Sequence, residues 1–181
     1  EGLSLSVHVL AGQVPGFAAD AGTLIRGDTI KVDGPLGDFT LDGESTRPIV
    51  VFATEPHYGA IHSLLSQIVN LELEQPVVLF RHALGRVEPY LSNYSRSLRD
   101  ALDEFSYVKL ETMDESAEAL CAALACSDVP VDWAASDVYV AAGEVGGALR
   151  EQCIRLGALA ERVRIDRAGD VDHPNPAGGS A

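Results

Sequence analysis

The sequence predicts an α/β protein: a doubly wound parallel sheet preceded by a few antiparallel strands of an incomplete β-barrel. Three observations carry this. From residue 48 onward, continuous apolar runs of strand length recur, as parallel strands buried on both faces require. Apolar residues at helical spacing fall between those runs. Ahead of residue 47 the pattern is different, with short alternating runs broken by Gly- and Pro-containing turns.

Taken in order, residues 3–10 alternate Leu3, Leu5, Val7 and Val9 against Ser4, Ser6 and His8, a half-buried strand. Residues 12–27 are rich in Gly, Ala and Pro and read as a loop. Residues 28–32 and 38–41 are expected as two further short strands around the turn Gly34-Pro35-Leu36-Gly37. Residues 42–47 are polar and mark the expected boundary, giving a barrel remnant over 1–46 and an α/β domain over 47–168. In the latter, strands are expected at 48–53, 76–80, 107–110, 137–142 and 162–166. The intervening helices are expected near 61–69, 90–105, 116–125 and 145–156. Strand–helix alternation of this kind implies parallel pairing. Residues 169–181 hold Pro, Gly, Asn and Ser and are expected as a flexible tail.

Composition narrows the function. Hydrophobic residues make up 46% of the 181 and charged residues 22%, enough apolar content for a sizeable core. The formal net charge of -14 opposes binding to nucleic acid or an anionic membrane, both of which need a basic surface. No apolar stretch approaches the roughly 20 residues that cross a bilayer, and no signal-peptide pattern is visible, so a soluble cytoplasmic protein is expected. The chain opens inside an expected strand, and further upstream residues are therefore expected. Cys121, Cys126 and Cys153 form no CxxC pair and are expected as free thiols, the first two within an apolar core run. Four-cysteine iron–sulfur spacing is absent, so no cluster is expected on this chain.

One phrase names a family. Gly27-Asp28-Thr29-Ile30-Lys31-Val32, then Gly34-Pro35-Leu36-Gly37-Asp38-Phe39, then Arg47-Pro48-Ile49-Val50-Val51-Phe52-Ala53-Thr54, resembles the end of the flavin barrel and the first nucleotide-domain strand of ferredoxin-NAD(P)H-reductase-like flavoproteins. Pro76-Val77-Val78-Leu79-Phe80, Glu88-Pro89-Tyr90-Leu91 and Asp137-Val138-Tyr139-Val140 follow in the family's order, and the resemblance spans about residues 3–167. It implies a domain that binds NADH or NADPH, passes a hydride to FAD, and delivers electrons to a ferredoxin or oxygenase component.

The departures are as specific as the matches. Where the family has a glycine-rich phosphate loop, this chain has Thr54-Glu55-Pro56-His57-Tyr58-Gly59-Ala60. Glycines let the backbone approach a diphosphate. Glu55 is instead expected to put a carboxylate in that space, and Pro56 removes an N–H donor. The family's Cys-Gly-Pro corresponds to Ala141-Ala142-Gly143, so the thiol beside the nicotinamide is missing. The flavin-phosphate turn falls near Gly16-Phe17-Ala18-Ala19, without the hydroxyl. A second function is therefore carried alongside the first: a cofactor-degenerate domain serving as a non-catalytic binding or assembly module.

The resemblance implies cofactor contacts from Gly34, Pro35 and Gly37 on the flavin side. On the dinucleotide side it implies Thr54, Glu55, His57, Gly59, Arg81, Arg86, Ala141 and Gly143. Several have a plainer alternative. The glycine–proline turn can shape a bend alone, Thr54 can cap a helix, and His57 can be a surface loop residue. Arg81 and Arg86, after the second strand, suit a ribose phosphate or a salt bridge. Glu144 suits the nicotinamide face or a helix N-terminus. His57, His62 and His82 meet as a metal site only if the fold brings three imidazoles together.

Overall fold

The computed structural model describes residues 22–31, 37–85 and 87–166. The chain divides into two compact units, Glu1–Leu36 and Gly37–Ala181. The expected strand at 3–10, the residues 16–19, Gly34, Pro35, Arg86 and the tail at 169–181 lie outside the described residues.

In the first unit, residues 28–31 are not strand, contrary to expectation. The Asp28 N–H donates to the Ile25 carbonyl at 3.1 Å, and Asp28 Oδ2 accepts from the Ile25 N–H at 2.9 Å. Asp28 closes a local turn, the ordinary alternative for an Asx side chain.

The second unit contains a five-stranded parallel sheet of order β3-β2-β1-β4-β5. Its elements are β1 (Ile49–Ala53), α1 (Tyr58–Asn70), β2 (Val77–Leu84), α2 (Ser92–Ala101), β3 (Phe105–Thr112), α3 (Ala117–Ala125), β4 (Asp137–Ala141), α4 (Gly146–Arg155) and β5 (Val163–Ile165). Short 3-10 turns, Glu55–His57 and Gly143–Val145, enter α1 and α4. The parallel sheet read from the sequence is present.

Every residue of β1 is buried because both of its faces are covered. Ile49, Val51 and Ala53 pack with Ile61, Leu64, Leu65 and Ile68 of α1 and Leu98 of α2. Val50 and Phe52 face Leu120 and Leu124 of α3 and Leu149 and Cys153 of α4. Burial of the four α1 side chains contributes roughly 1.5–3 kcal/mol each, which is what holds the helix to the sheet.

Three boundaries differ from expectation for identifiable reasons. Residues 38–41 are not strand. The Thr40 N–H donates to the Asp38 carbonyl at 2.8 Å, while Phe39 and Leu41 pack onto the core of this unit. β2 continues past Phe80 to Leu84 because Arg81–Leu84 stays in register with Lys109–Thr112 of β3. Helix α2 begins only at Ser92, behind Leu91 at φ 56°, and stops at Ala101 because Leu102 is already extended. Cys126, expected in the core, is an exposed residue just past α3, whereas Cys153 is buried.

Candidate functional site

β1 pairs with β2 on one side and with β4 on the other, so the chain leaves the C-terminal end of β1 where the winding direction reverses. In open α/β sheets ligands lie in the crevice outside the strand ends at such a point. The segment following β1 and the segment following β4 form its walls here. Their bases are joined by the Thr54 N–H, which donates to the Ala141 carbonyl at 3.1 Å. The stretch from Ala53 to Ala60 thus occupies the crevice position read from the sequence.

The side chains of the Glu55–His57 turn reach in opposite directions. Toward β4, His57 Nδ1 shares a 3.0 Å hydrogen bond with Thr54 Oγ1, and the ring's far edge lies against Gly143. A Cβ on residue 143 would stand 2.5 Å from His57 Cε1 and 2.6 Å from Nε2. Gly143 also has φ 52°, which favours glycine on its own account. The Thr54 hydroxyl makes no helix-cap bond and serves to orient the imidazole.

Toward β2, Glu55 Oε1 accepts from Arg81 Nη2 at 2.5 Å, and Glu55 Oε2 accepts from the Tyr90 N–H at 2.7 Å. This corrects the expectation that the carboxylate lies in a diphosphate's place: both its oxygens are engaged at the end of β2. Arg81, expected to meet a ribose, has no exposed surface. Its guanidinium stacks on Tyr58, 3.4 Å from the ring centroid. Nη2 also donates to the Tyr90 carbonyl at 3.0 Å and Nη1 to Ser95 Oγ at 3.4 Å. A fully buried cation is costly unless paired, and Glu55 is its anionic partner. The Tyr58 hydroxyl, 3.0 Å from Ser95 Oγ, is pushed to a raised pKa by burial.

The remaining predicted residues scatter. Gly59 lies in the first turn of α1, and Ala141 is a buried strand residue opposite Ala53. Gly37 has φ 83° and open space around it. Glu144 is exposed in the second 3-10 turn. The three histidines do not converge. His62 lies between the rings of Tyr58 and Tyr94, and His82 Nε2 is 2.7 Å from Thr112 Oγ1. Among the described residues no group of three or more His, Cys, Asp or Glu side chains is placed to hold a metal.

Thr112 Oγ1 also donates to the Asp114 carbonyl, so His82 Nε2 is the donor to it and Nδ1 carries the buried lone pair. Burial lowers the His82 pKa, opposed by Glu115 and Glu55. A cavity of about 230 Å³ lies elsewhere, lined by Asp38, Phe39, Arg150, Val163, Arg164 and Ile165. Its arginines are engaged, Arg150 with Glu151 and Arg164 with Thr40 and Tyr139, so the crevice remains the better-built site.

The Arg81–Glu55–Tyr58–Ser95 network was not read from the sequence. One signal was available: Arg81 directly continues an apolar strand, and a charge in that position must find an internal partner.

No family profile matches the chain. Reductase component 1 of terephthalate 1,2-dioxygenase from a Comamonas species is 26% identical over 109 residues, 60% of this chain and 32% of the relative. Among solved structures, a cytochrome P450 reductase of Amycolatopsis superposes with a TM-score of 0.61 at 18% identity, covering 86% of this chain and 50% of that one. The flavohaem-like FAD/NAD-binding domain of a Vibrio cholerae nitric oxide dioxygenase gives 0.54 at 14% identity, covering 74% and 55%. A flavohemoglobin from Malassezia yamatoensis, solved with bound FAD and haem, gives 0.58 at 12% identity, covering 78% and 39%.

These likenesses show the fold: an α/β domain built on a parallel sheet. More particularly, the chain has the fold of the ferredoxin-NAD(P)H-reductase-like flavoproteins, as its sequence motifs implied. It spans about a third of the curated relative's length and about half or less of the solved structures. Among the described residues no helix is long and apolar enough to cross a membrane.

Proposed function

We propose that this chain is the nicotinamide-binding part of a flavin-dependent reductase. NADH or NADPH would bind in the crevice between the Glu55–His57 turn and the Gly143–Val145 turn. The observation that carries this reading is the meeting of those two turns at the reversal of the sheet, with Gly143 leaving the β4 side without a side chain. A dinucleotide there would require the His57 ring to turn outward, and what stands against Gly143 is a side chain rather than backbone. Bound there, the nicotinamide would supply a hydride to FAD carried by another part of the protein. An oxygenase or ferredoxin-type component is the proposed acceptor, and the cytoplasm the proposed location. Thr54 and Gly143 would line the nicotinamide side, and Gly37 belongs to the proposed flavin contacts.

The self-contained contacts of Glu55 and His57 favour a second reading, a domain that keeps the fold as a binding or assembly module. Calorimetric titration of the chain with NADH and NADPH separates the two. Saturable binding of either nucleotide, tightened in His57→Ala, is expected for the reductase. No binding by wild type or by a folded His57→Ala variant leaves the module reading.

A further inference from the structure

The sheet ends on β3, whose outer side meets no other strand among the described residues. The Val77 N–H donates to the Glu104 carbonyl at 2.8 Å and the Gly85 N–H to the Thr112 carbonyl at 2.7 Å. Even-numbered residues of this strand therefore turn their peptide groups toward β2. Peptide groups alternate sides along a strand, so those of Phe105, Tyr107, Lys109 and Glu111 point outward. The register with β2 runs unbroken from Phe105 to Thr112, with no proline, glycine or bulge to blunt the edge. An open edge of this kind is a template for pairing with another chain. Lysine commonly guards such edges, but the Lys109 ammonium is held by Glu88 at 3.4 Å and Glu111 at 2.6 Å. At the C-terminal end Met113 is 90% exposed, and Leu84, level with Thr112 on the neighbouring strand, is 44% exposed. They form an apolar step beside the open row of peptide groups. Carboxylates flank it: residues 103–115 hold Asp103, Glu104, Glu111, Asp114 and Glu115, all exposed, against the single cation Lys109.

We propose that the open edge of β3 is a docking site for an extended, basic segment of a partner protein, which joins the sheet as a sixth strand and lays an apolar side chain on Met113 and Leu84. In strand addition of this kind, main-chain hydrogen bonds supply affinity and the side chains around the edge select the sequence. Here the selection is by charge. The five carboxylates favour Lys and Arg in the incoming strand and repel an acidic one. The same charge disfavours a second copy of this chain, because each copy carries a formal net charge of -14. β2 stands between β3 and the crevice at the end of β1, so the edge can be occupied whether or not the crevice holds a nucleotide.

The test uses the whole chain and a synthetic peptide of strand length that alternates lysine and valine, followed by fluorescence anisotropy and amide hydrogen exchange. In the free chain the amides of Tyr107, Lys109 and Glu111 should exchange fast and those of Ser106, Val108 and Leu110 slowly. The peptide should bind saturably and slow the first set. The same peptide N-methylated throughout has no backbone donors and should bind about tenfold or more weakly. A peptide alternating glutamate and valine should not bind. Glu111→Pro removes an outward N–H without touching the ladder to β2 and should also weaken binding by about tenfold. Glu111→Gln keeps that N–H and loses only the charge, for an expected loss of about twofold to fivefold. Met113→Ser should weaken binding by about threefold or more. Glu161→Gln removes the same charge next to β5, at the far end of the sheet, and should change nothing. If Glu111→Pro does not fold, the N-methylated peptide decides the matter. Equal binding of the plain and N-methylated peptides, or equal weakening by Glu161→Gln and Glu111→Gln, reduces the contact to bulk charge attraction and overturns the site. So does the absence of saturable binding. A chain that sediments as a dimer, with the outward amides slow before any peptide is added, gives the edge to a second copy and overturns the proposed occupant.

Discussion

Replacing Gly143 by alanine tests the crevice closure most directly. Residue 143 has φ 52°, and an L residue in that region is less stable by roughly 1–2 kcal/mol. The added methyl would also sit 2.5 Å from His57 Cε1, inside any real contact distance. The imidazole must therefore leave, and its bond to Thr54 Oγ1 is worth about 0.5–1.5 kcal/mol. The two effects together predict a loss of roughly 2–3 kcal/mol, measured by urea denaturation. At about 2–4 °C per kcal/mol for a domain of this size, the midpoint should fall by roughly 4–12 °C. The contributions separate in a double-mutant cycle. In a His57→Ala background the clash is gone and only backbone strain remains, so Gly143→Ala should then cost about 1–2 kcal/mol. A coupling of about 1 kcal/mol between the two sites is expected. An unchanged penalty in the His57→Ala background would refute the packing of that ring against Gly143.

Three further predictions follow from other parts of the molecule. Arg81→Ala removes a buried guanidinium together with its stacking on Tyr58 and its pairing with Glu55, and should cost about 3–5 kcal/mol in denaturant titration; a loss under 1 kcal/mol would contradict the buried network. Because burial lowers the His82 pKa, the unfolded chain binds a proton there before the folded one does, so stability should begin to fall as pH drops below about 6.5 and go on falling until the folded imidazole titrates. His82→Gln should flatten that slope, and an imidazole titration by NMR showing His82 at or above the ordinary value would reverse the sign. Among the thiols, burial pushes Cys153 to about 12, so a thiol reagent should modify exposed Cys126 first and leave Cys153 untouched until the protein unfolds.

The parallel sheet was legible in the sequence because each central strand must be apolar on both faces. The runs Ile49–Ala53 and 138–141 state that requirement without reference to anything distant. The first helix was legible for a similar reason: Ile61, Leu64, Leu65 and Ile68 recur at a helix's own period and all are buried. The crevice position followed from the order of strands and motifs.

What Glu55 and Arg81 do was not legible. They stand 26 residues apart, and their pairing depends on β2 lying beside β1 in register, which brings Arg81 level with Ala53. Read singly, the one seemed to repel a phosphate and the other to attract it. His57 and Gly143 likewise meet across the join of β1 and β4, and no local pattern records that contact. The sequence by itself determined which segments become strands and helices, because apolar periodicity acts over a few residues. Only the tertiary structure decided where the charges at the strand ends go, because a buried ion pair is set by distance in space rather than along the chain.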